Sequence, residues 1–317
     1  MKKSLLTLIL ASLLTLTACT AEADSKSEFD ISPTVAATEP STEEITEAPT
    51  EDPKANKIND LSDTEKKLVC YVEGQKVSGV MYIPEGEGPF PTVVMIGGLG
   101  MSYTYNDTMA KRIAEGGVAA VAFDCRGYVP NGYFSEGDFY KDMSPESCVT
   151  DILAVTDFVS EYPAIDKDNV FLWGQSYGGL VTAMAAAENP DSFKGIIGVD
   201  PAYQMPDEAR SQFDEDAEEF IYNDGSASEI GEPLARGLMA VDIFEKMKLF
   251  NGKAVILTGT NETIDVMYPE VFDKALASYP NVEKIVVEGA NHRFSDHMKE
   301  LVKLTVDFVK NNSNTNP

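Results

Sequence analysis

From Lys67 onward, short unbroken apolar runs alternate with longer stretches in which apolar residues return every three or four positions. The first pattern belongs to strands buried on both faces, the second to helices with one packed side. Two early runs, Leu68 to Val72 and Val77 to Ile83, are joined by Glu73-Gly74-Gln75 and predict an antiparallel pair at a sheet edge. Crossovers then begin: strand Thr92 to Ile96, helix Asn106 to Glu115, strand Val118 to Phe123, helix Pro145 to Glu161, and a strand running Val170-Phe171-Leu172-Trp173 toward Ser176. A helix rich in alanine around Ala183 follows, then strands Gly195 to Val199 and Ala254 to Leu257. Helix Pro269 to Ala277, strand Lys284 to Val287 and a helix from Asp296 to Lys310 complete the pattern. Such alternation builds an α/β domain with a mostly parallel central sheet flanked by helices.

One segment breaks the rhythm. Between the strands ending at Val199 and beginning near Lys253 lie about fifty residues, more than a helix and its loops require. Residues 202–245 hold 12 acidic and 2 basic side chains. Phe213, Ala217 and Phe220 fall at helical spacing there, and Leu234, Leu238 and Met239 mark another helix. An insertion here predicts a small helical lid that sets substrate choice, with a packed embellishment as the plainer alternative.

Ahead of this body the pattern changes twice. Lys2 and Lys3 precede an apolar run from Leu5 to Leu16, too short to span a membrane, and the run ends in Leu16-Thr17-Ala18-Cys19. Small residues before a cysteine resemble a bacterial lipoprotein cleavage box, which implies a signal over residues 1–19, lipid on Cys19, and export to the cell envelope at the outer face of a membrane. Residues 20–60 are Ser, Thr, Glu, Pro and Ala with almost no aliphatic periodicity, and predict a disordered tether. The folded domain is then expected over residues 61–312. Of the net charge of −27, the signal carries +2 and the tether −8, leaving −21 on the body. That balance repels nucleic acid and anionic headgroups, so contact with a membrane is expected only through the lipid. The three other cysteines, Cys70, Cys125 and Cys148, allow at most one bridge, and no spacing among them is that of a metal site.

The chemistry centres on Gly174-Gln175-Ser176-Tyr177-Gly178. A serine hydroxyl is a poor nucleophile unless a sharp strand-to-helix turn presents it to a base, and the flanking glycines suit such a turn. Of only two histidines, His292 follows a strand in Gly289-Ala290-Asn291-His292 and is the candidate base, while His297 falls in the last helix as a surface residue. The acid is expected on the loop after the preceding strand, where Glu262 comes first and Asp265 is the fallback. Gly97-Gly98-Leu99-Gly100 follows the first parallel strand, so the backbone N–H groups of Leu99 and Tyr177 are the expected oxyanion donors. Tyr103, Tyr203 and Phe213 are candidates to line an acyl pocket.

These residues together resemble the α/β-hydrolase superfamily over roughly Lys67 to Lys310, and within it the bacterial cinnamoyl and feruloyl esterase-like and serine aminopeptidase-like hydrolases. The likeness rests on Gly97-Gly98-Leu99-Gly100, Phe123-Asp124-Cys125-Arg126-Gly127, Asp166 to Gly179, Gly259-Thr260-Asn261-Glu262 and Gly289-Ala290-Asn291-His292-Arg293-Phe294. It implies Ser176 as nucleophile, His292 as base, Glu262 as acid, and Leu99 and Tyr177 as oxyanion donors. Two departures stand out: relatives usually open the oxyanion turn with His-Gly where this chain has Gly97-Gly98, and they more often carry Asp than Glu as the acid. The implied activity is hydrolysis of a small ester through an acyl-enzyme on Ser176. Its alternatives are a peptidase of the aminopeptidase or prolyl-oligopeptidase type acting on short peptides, or a surface binding protein without turnover. No cofactor is implied, because a Ser-His-acid site generates its own nucleophile.

Overall fold

The computed structural model describes residues 52–130, 132, 134–213 and 230–314. The signal, Cys19, the tether up to residue 51, and Ala217 and Phe220 lie outside the described residues. The chain runs through β1 (Lys57–Asp60), β2 (Glu65–Val72), β3 (Gln75–Tyr82), β4 (Phe90–Ile96), α1 (Asp107–Glu115), β5 (Ala119–Asp124), α2 (Pro145–Ser160), β6 (Ile165–Gln175), α3 (Tyr177–Glu188) and β7 (Gly195–Val199). Then come α4 (Met205–Gln212), α5 (Glu232–Ala240), α6 (Ile243–Met247), β8 (Lys253–Asn261), α7 (Ile264–Met267), α8 (Pro269–Ser278), β9 (Val282–Asn291) and α9 (Met298–Asn312). The order in the sheet is β1-β2-β3-β5-β4-β6-β7-β8-β9. Strands β1, β2, β3 and β5 pair antiparallel in succession, and every pairing from β5 through β4 to β9 is parallel.

The predicted hairpin of β2 and β3 is present, but it is not the edge. The strand β1, Lys-Ile-Asn-Asp, pairs outside β2 and carries the fold four residues into the stretch assigned to the tether. Its half-buried and exposed positions give no apolar run for pattern reading to find.

Burial on both faces explains the unbroken apolar strands. In β4, Val94 and Ile96 enter one core while Val93 and Met95 enter the other, and in β6 Val170 and Leu172 oppose Phe171 and Trp173. The first core is covered by α2, α3, α6 and α8, the second by α1 and α9. Helix α3 is buried from Tyr177 to Ala187, so its alanines and glycines let it lie close against the sheet. Deleting a large side chain from such a core costs about 2–5 kcal/mol.

After β4 the chain moves to β5 on one side, and β6 then lies on the other. This reversal opens a crevice at the carboxyl ends of β4 and β6, the usual ligand position in a parallel α/β sheet. The described part of the insertion is firmly packed: Leu234, Ala235 and Leu238 of α5 are buried, and a side chain at Gly237 would meet Pro145 of α2. Phe213 caps α4 rather than continuing it, and is half-buried. Among the described residues no helix is long and apolar enough to cross a membrane.

Candidate active site

Strand β6 turns directly into α3 at Ser176, whose φ of 56° and ψ of −122° lie in a region that costs a non-glycine residue about 1–3 kcal/mol. The surrounding hydrogen bonds hold it there. Ser176 N–H donates to Val199 O at 3.0 Å, and Ser176 O accepts from Gly179 and Ala202 N–H at 2.9 Å each. A Cβ at Gly174 would overlap the Gly178 carbonyl, and one at Gly178 would overlap the carbonyls of Ile96 and Gly97. The turn therefore requires both glycines. Ser176 is buried, and its Oγ has no hydrogen-bond partner among the described residues.

The carboxylate beside the histidine is Asp200, not the expected Glu262 or Asp265. Asp200 Oδ2 lies 2.6 Å from His292 Nδ1. The Asp200 side chain is completely buried and also accepts from Thr258 Oγ1 at 3.1 Å and from the N–H groups of Ile264 at 2.9 Å and Asp265 at 3.4 Å. Four donors converge on one carboxylate, which fixes its orientation. Glu262 adopts a left-handed φ of 52° and is exposed. Asp265 instead pairs with Lys284 Nζ at 3.1 Å.

Asp200 ends strand β7, which lies between β6 and β8, so its carboxylate is one strand nearer the serine than the loop carrying Glu262. The signal in the sequence is an acid directly after the apolar run Gly-Ile-Ile-Gly-Val, followed by Pro201. Gln175, also outside the expected set, joins the two halves of the site. Its Nε2 donates to the His292 carbonyl at 3.1 Å, tying the histidine loop to the residue before Ser176. His297 lies in the short 3-10 turn Ser295–His297, beyond this network.

The oxyanion turn lies where expected relative to the elbow. A Cβ at Gly98 would come 3.6 Å from Ser176 Cβ, and Leu99 is buried one residue later. Among the described residues, neither Leu99 N–H nor Tyr177 N–H is committed to an acceptor. The loop after them is anchored by Asp124, which accepts from Ser102 Oγ at 3.2 Å and from Tyr103 N–H. Burial pushes the Asp124 carboxyl up to about 7 against these stabilising bonds. Of the candidate pocket residues, Tyr103 is half-buried with its ring 5.1 Å from that of Phe134. Tyr203 belongs to the core, with its hydroxyl 3.4 Å from that of Tyr279.

The profile of the prolyl oligopeptidase family matches residues 104–316. The match takes in Ser176, Asp200 and His292 and begins after the oxyanion turn. Among curated proteins, the 2,6-dihydropseudooxynicotine hydrolase of Paenarthrobacter nicotinovorans is 30% identical over 132 residues, which cover 41% of this chain and 34% of that protein. Thiohydrolase aneE of Aspergillus aculeatus is 30% identical over 131 residues, covering 41% of this chain and 39% of that one. The match thus spans only about a third of the length of these curated relatives. Among solved structures, Est1E from Butyrivibrio proteoclasticus with ferulic acid bound superposes with a TM-score of 0.67 at 21% identity, over 77% of this chain and 98% of that one. The architecture is the α/β-hydrolase fold.

Proposed function

The chain belongs to the prolyl oligopeptidase family, and from that premise we propose that it is a serine hydrolase acting on carboxylic esters through an acyl-enzyme on Ser176. The observation that carries this reading is the His292 Nδ1 contact with Asp200 at 2.6 Å, joined through Gln175 to the strained elbow at Ser176. An imidazole held at Nδ1 by a buried carboxylate presents Nε2 as its basic face.

In the reaction, Ser176 Oγ attacks the ester carbonyl carbon while its proton passes to His292 Nε2. Asp200 stabilises the resulting imidazolium, and the N–H groups of Leu99 and Tyr177 receive the negative charge on the former carbonyl oxygen. Collapse breaks the bond to the alcohol, which leaves with the proton from His292. Water then repeats the sequence on the acyl-enzyme, giving the acid and restoring Ser176. Ser176 Oγ makes no hydrogen bond among the described residues, so the hydroxyl is not committed to another acceptor.

Ester substrates are supported by a curated relative named as an esterase, Esterase FrsA of Escherichia coli O157:H7, beside others named as hydrolases. A peptidase activity is the second reading, supported by the family description itself. Purified protein assayed against short aryl acyl esters and aminoacyl anilides separates them. Ester turnover abolished by Ser176→Ala supports the first, and preferential anilide turnover supports the second. Turnover retained in Ser176→Ala contradicts both.

The amino-terminal pattern extends the proposal to location. Lipid on Cys19 anchors the protein at the outer face of a membrane, and the stretch from Thr20 to the start of β1 at Lys57 tethers the hydrolase domain. The expected result is that the protein partitions with membranes and that Cys19→Ala releases it.

A further inference from the structure

The oxyanion turn opens with two glycines, so the peptide joining Gly97 to Gly98 carries no side chain on either side to hold its plane. A hydroxyl from another segment holds it. Tyr128, in the turn after β5, donates its Oη hydrogen to the Gly97 carbonyl at 2.7 Å. The same ring lies 5.9 Å from the ring of Tyr177, centroid to centroid, tilted by 37°. Tyr128 is itself immobilised. It is 2% exposed, its N–H donates to Cys125 O at 3.2 Å, and the preceding Gly127 donates to Glu136 O at 2.9 Å.

One side chain thus touches both segments that carry the proposed oxyanion donors. Gly97 is two residues before Leu99, and Tyr177 bears the second N–H on its own backbone. Because a peptide is planar, fixing the Gly97 carbonyl fixes the N–H of Gly98 on the opposite side and the direction in which the chain leaves toward Leu99. Released, a Gly-Gly peptide rotates at little steric cost, and Leu99 N–H loses its aim. Burial holds the Tyr128 phenol well above its ordinary range, which favours the neutral form that donates the hydrogen bond.

We propose that Tyr128 is a positioning residue for the oxyanion hole, its hydroxyl setting the Gly97–Gly98 peptide plane and its ring setting the spacing to Tyr177. The inference rests on the serine-hydrolase reading above. It assigns to Tyr128 no contact with substrate; the residue acts through the backbone it holds.

Tyr128→Phe removes the hydroxyl and keeps the ring. The expected result is a kcat on a short aryl ester lower by about ten- to a hundredfold, with KM within about twofold, because the lost alignment matters only when charge develops on the oxygen. Affinity for a boronic acid, which forms a tetrahedral adduct on serine, should weaken by a similar factor. Backbone hydrogen exchange over residues 98–101 should also accelerate, a readout that does not depend on turnover. Replacing Tyr128 with p-aminophenylalanine, which keeps a donor at the same place, should restore kcat to within about threefold of the parent. The proposal is overturned if Tyr128→Phe leaves both kcat and exchange unchanged, or if the amine variant is as impaired as Phe. Failure of the serine-hydrolase reading looks different: the parent protein would then show no turnover dependent on Ser176, while the exchange comparison would still decide whether Tyr128 holds the turn.

Discussion

Asp200 directly follows strand β7 with its carboxylate 2.6 Å from His292 Nδ1, while Glu262, directly after the next strand, is exposed. A carboxylate in this position selects the imidazole tautomer whose Nε2 is free to take a proton. Asp200→Asn is expected to lower kcat for ester hydrolysis by about a thousandfold or more, whereas Glu262→Gln stays within about twofold of the parent. Steady-state kinetics on one ester compare them directly, and the opposite ranking would return the acid to the β8 loop.

A second expectation concerns Gln175, whose amide ties the His292 carbonyl to the nucleophile elbow at 3.1 Å. Gln175→Met keeps the volume and loses the donor. It should reduce kcat by about tenfold with KM little changed, because the histidine loop is no longer held in register with Ser176. A rise in KM at unchanged kcat would instead give Gln175 a substrate-binding role.

Arg126 tests the support beneath the site. Its N–H donates to Asp151 Oδ2 at 2.6 Å, its Nε donates to Asp151 Oδ1 at 2.7 Å, and Nη1 reaches the Val72 carbonyl at 3.3 Å. The Asp151 side chain has no exposure, and burial pushes its carboxyl up to about 6 despite the guanidinium. Arg126→Met removes the guanidinium partner of that buried carboxylate and leaves it only the backbone N–H, and is expected to destabilise the fold by about 3–5 kcal/mol in chemical denaturation at neutral pH. A loss below about 1 kcal/mol would show that the pair contributes little.

Asp124 gives a pH dependence with a defined sign. Its folded pKa of about 7 lies above the ordinary carboxylate value of 3.8, so between those values the folded chain binds more protons than the unfolded chain. Stability attributable to Asp124 is therefore fully present below the lower value and falls as pH rises toward the upper one, by up to about 1.4 kcal/mol per pH unit. Asp124→Asn does not titrate. Its stability relative to the parent should be higher at about pH 8 than at about pH 5, as read by urea denaturation at each pH. A difference that does not move with pH would contradict this.

Much of the architecture is legible in the chain because the central runs of β4, β5, β6, β7 and β8 are buried on both faces and are therefore largely apolar. Ser176 and His292 are legible for a different reason. Each lies in a glycine-bearing turn directly after a strand, where local sequence and function impose the same requirement. Asp200 is not, because choosing among carboxylates depends on which strand ends are neighbours and which way each side chain leaves the backbone. Glu262 has the expected place in the chain, but it is exposed, whereas Asp200 is completely buried against the histidine. Tyr128 and Gln175 act by reaching carbonyls 31 and 117 residues away, contacts that no local pattern records. Strand β1 is hidden for want of apolar residues, since it is held by pairing with β2 rather than by burial.

The central claim, that Ser176 is a nucleophile activated by His292, is tested most directly by fluorophosphonate labelling followed by intact-mass measurement and peptide mapping. The account predicts a single adduct on Ser176 in the parent protein, none in Ser176→Ala, and a labelling rate lower by about a hundredfold or more in His292→Ala. An adduct on another residue, no adduct at all, or an unchanged rate in His292→Ala would contradict it.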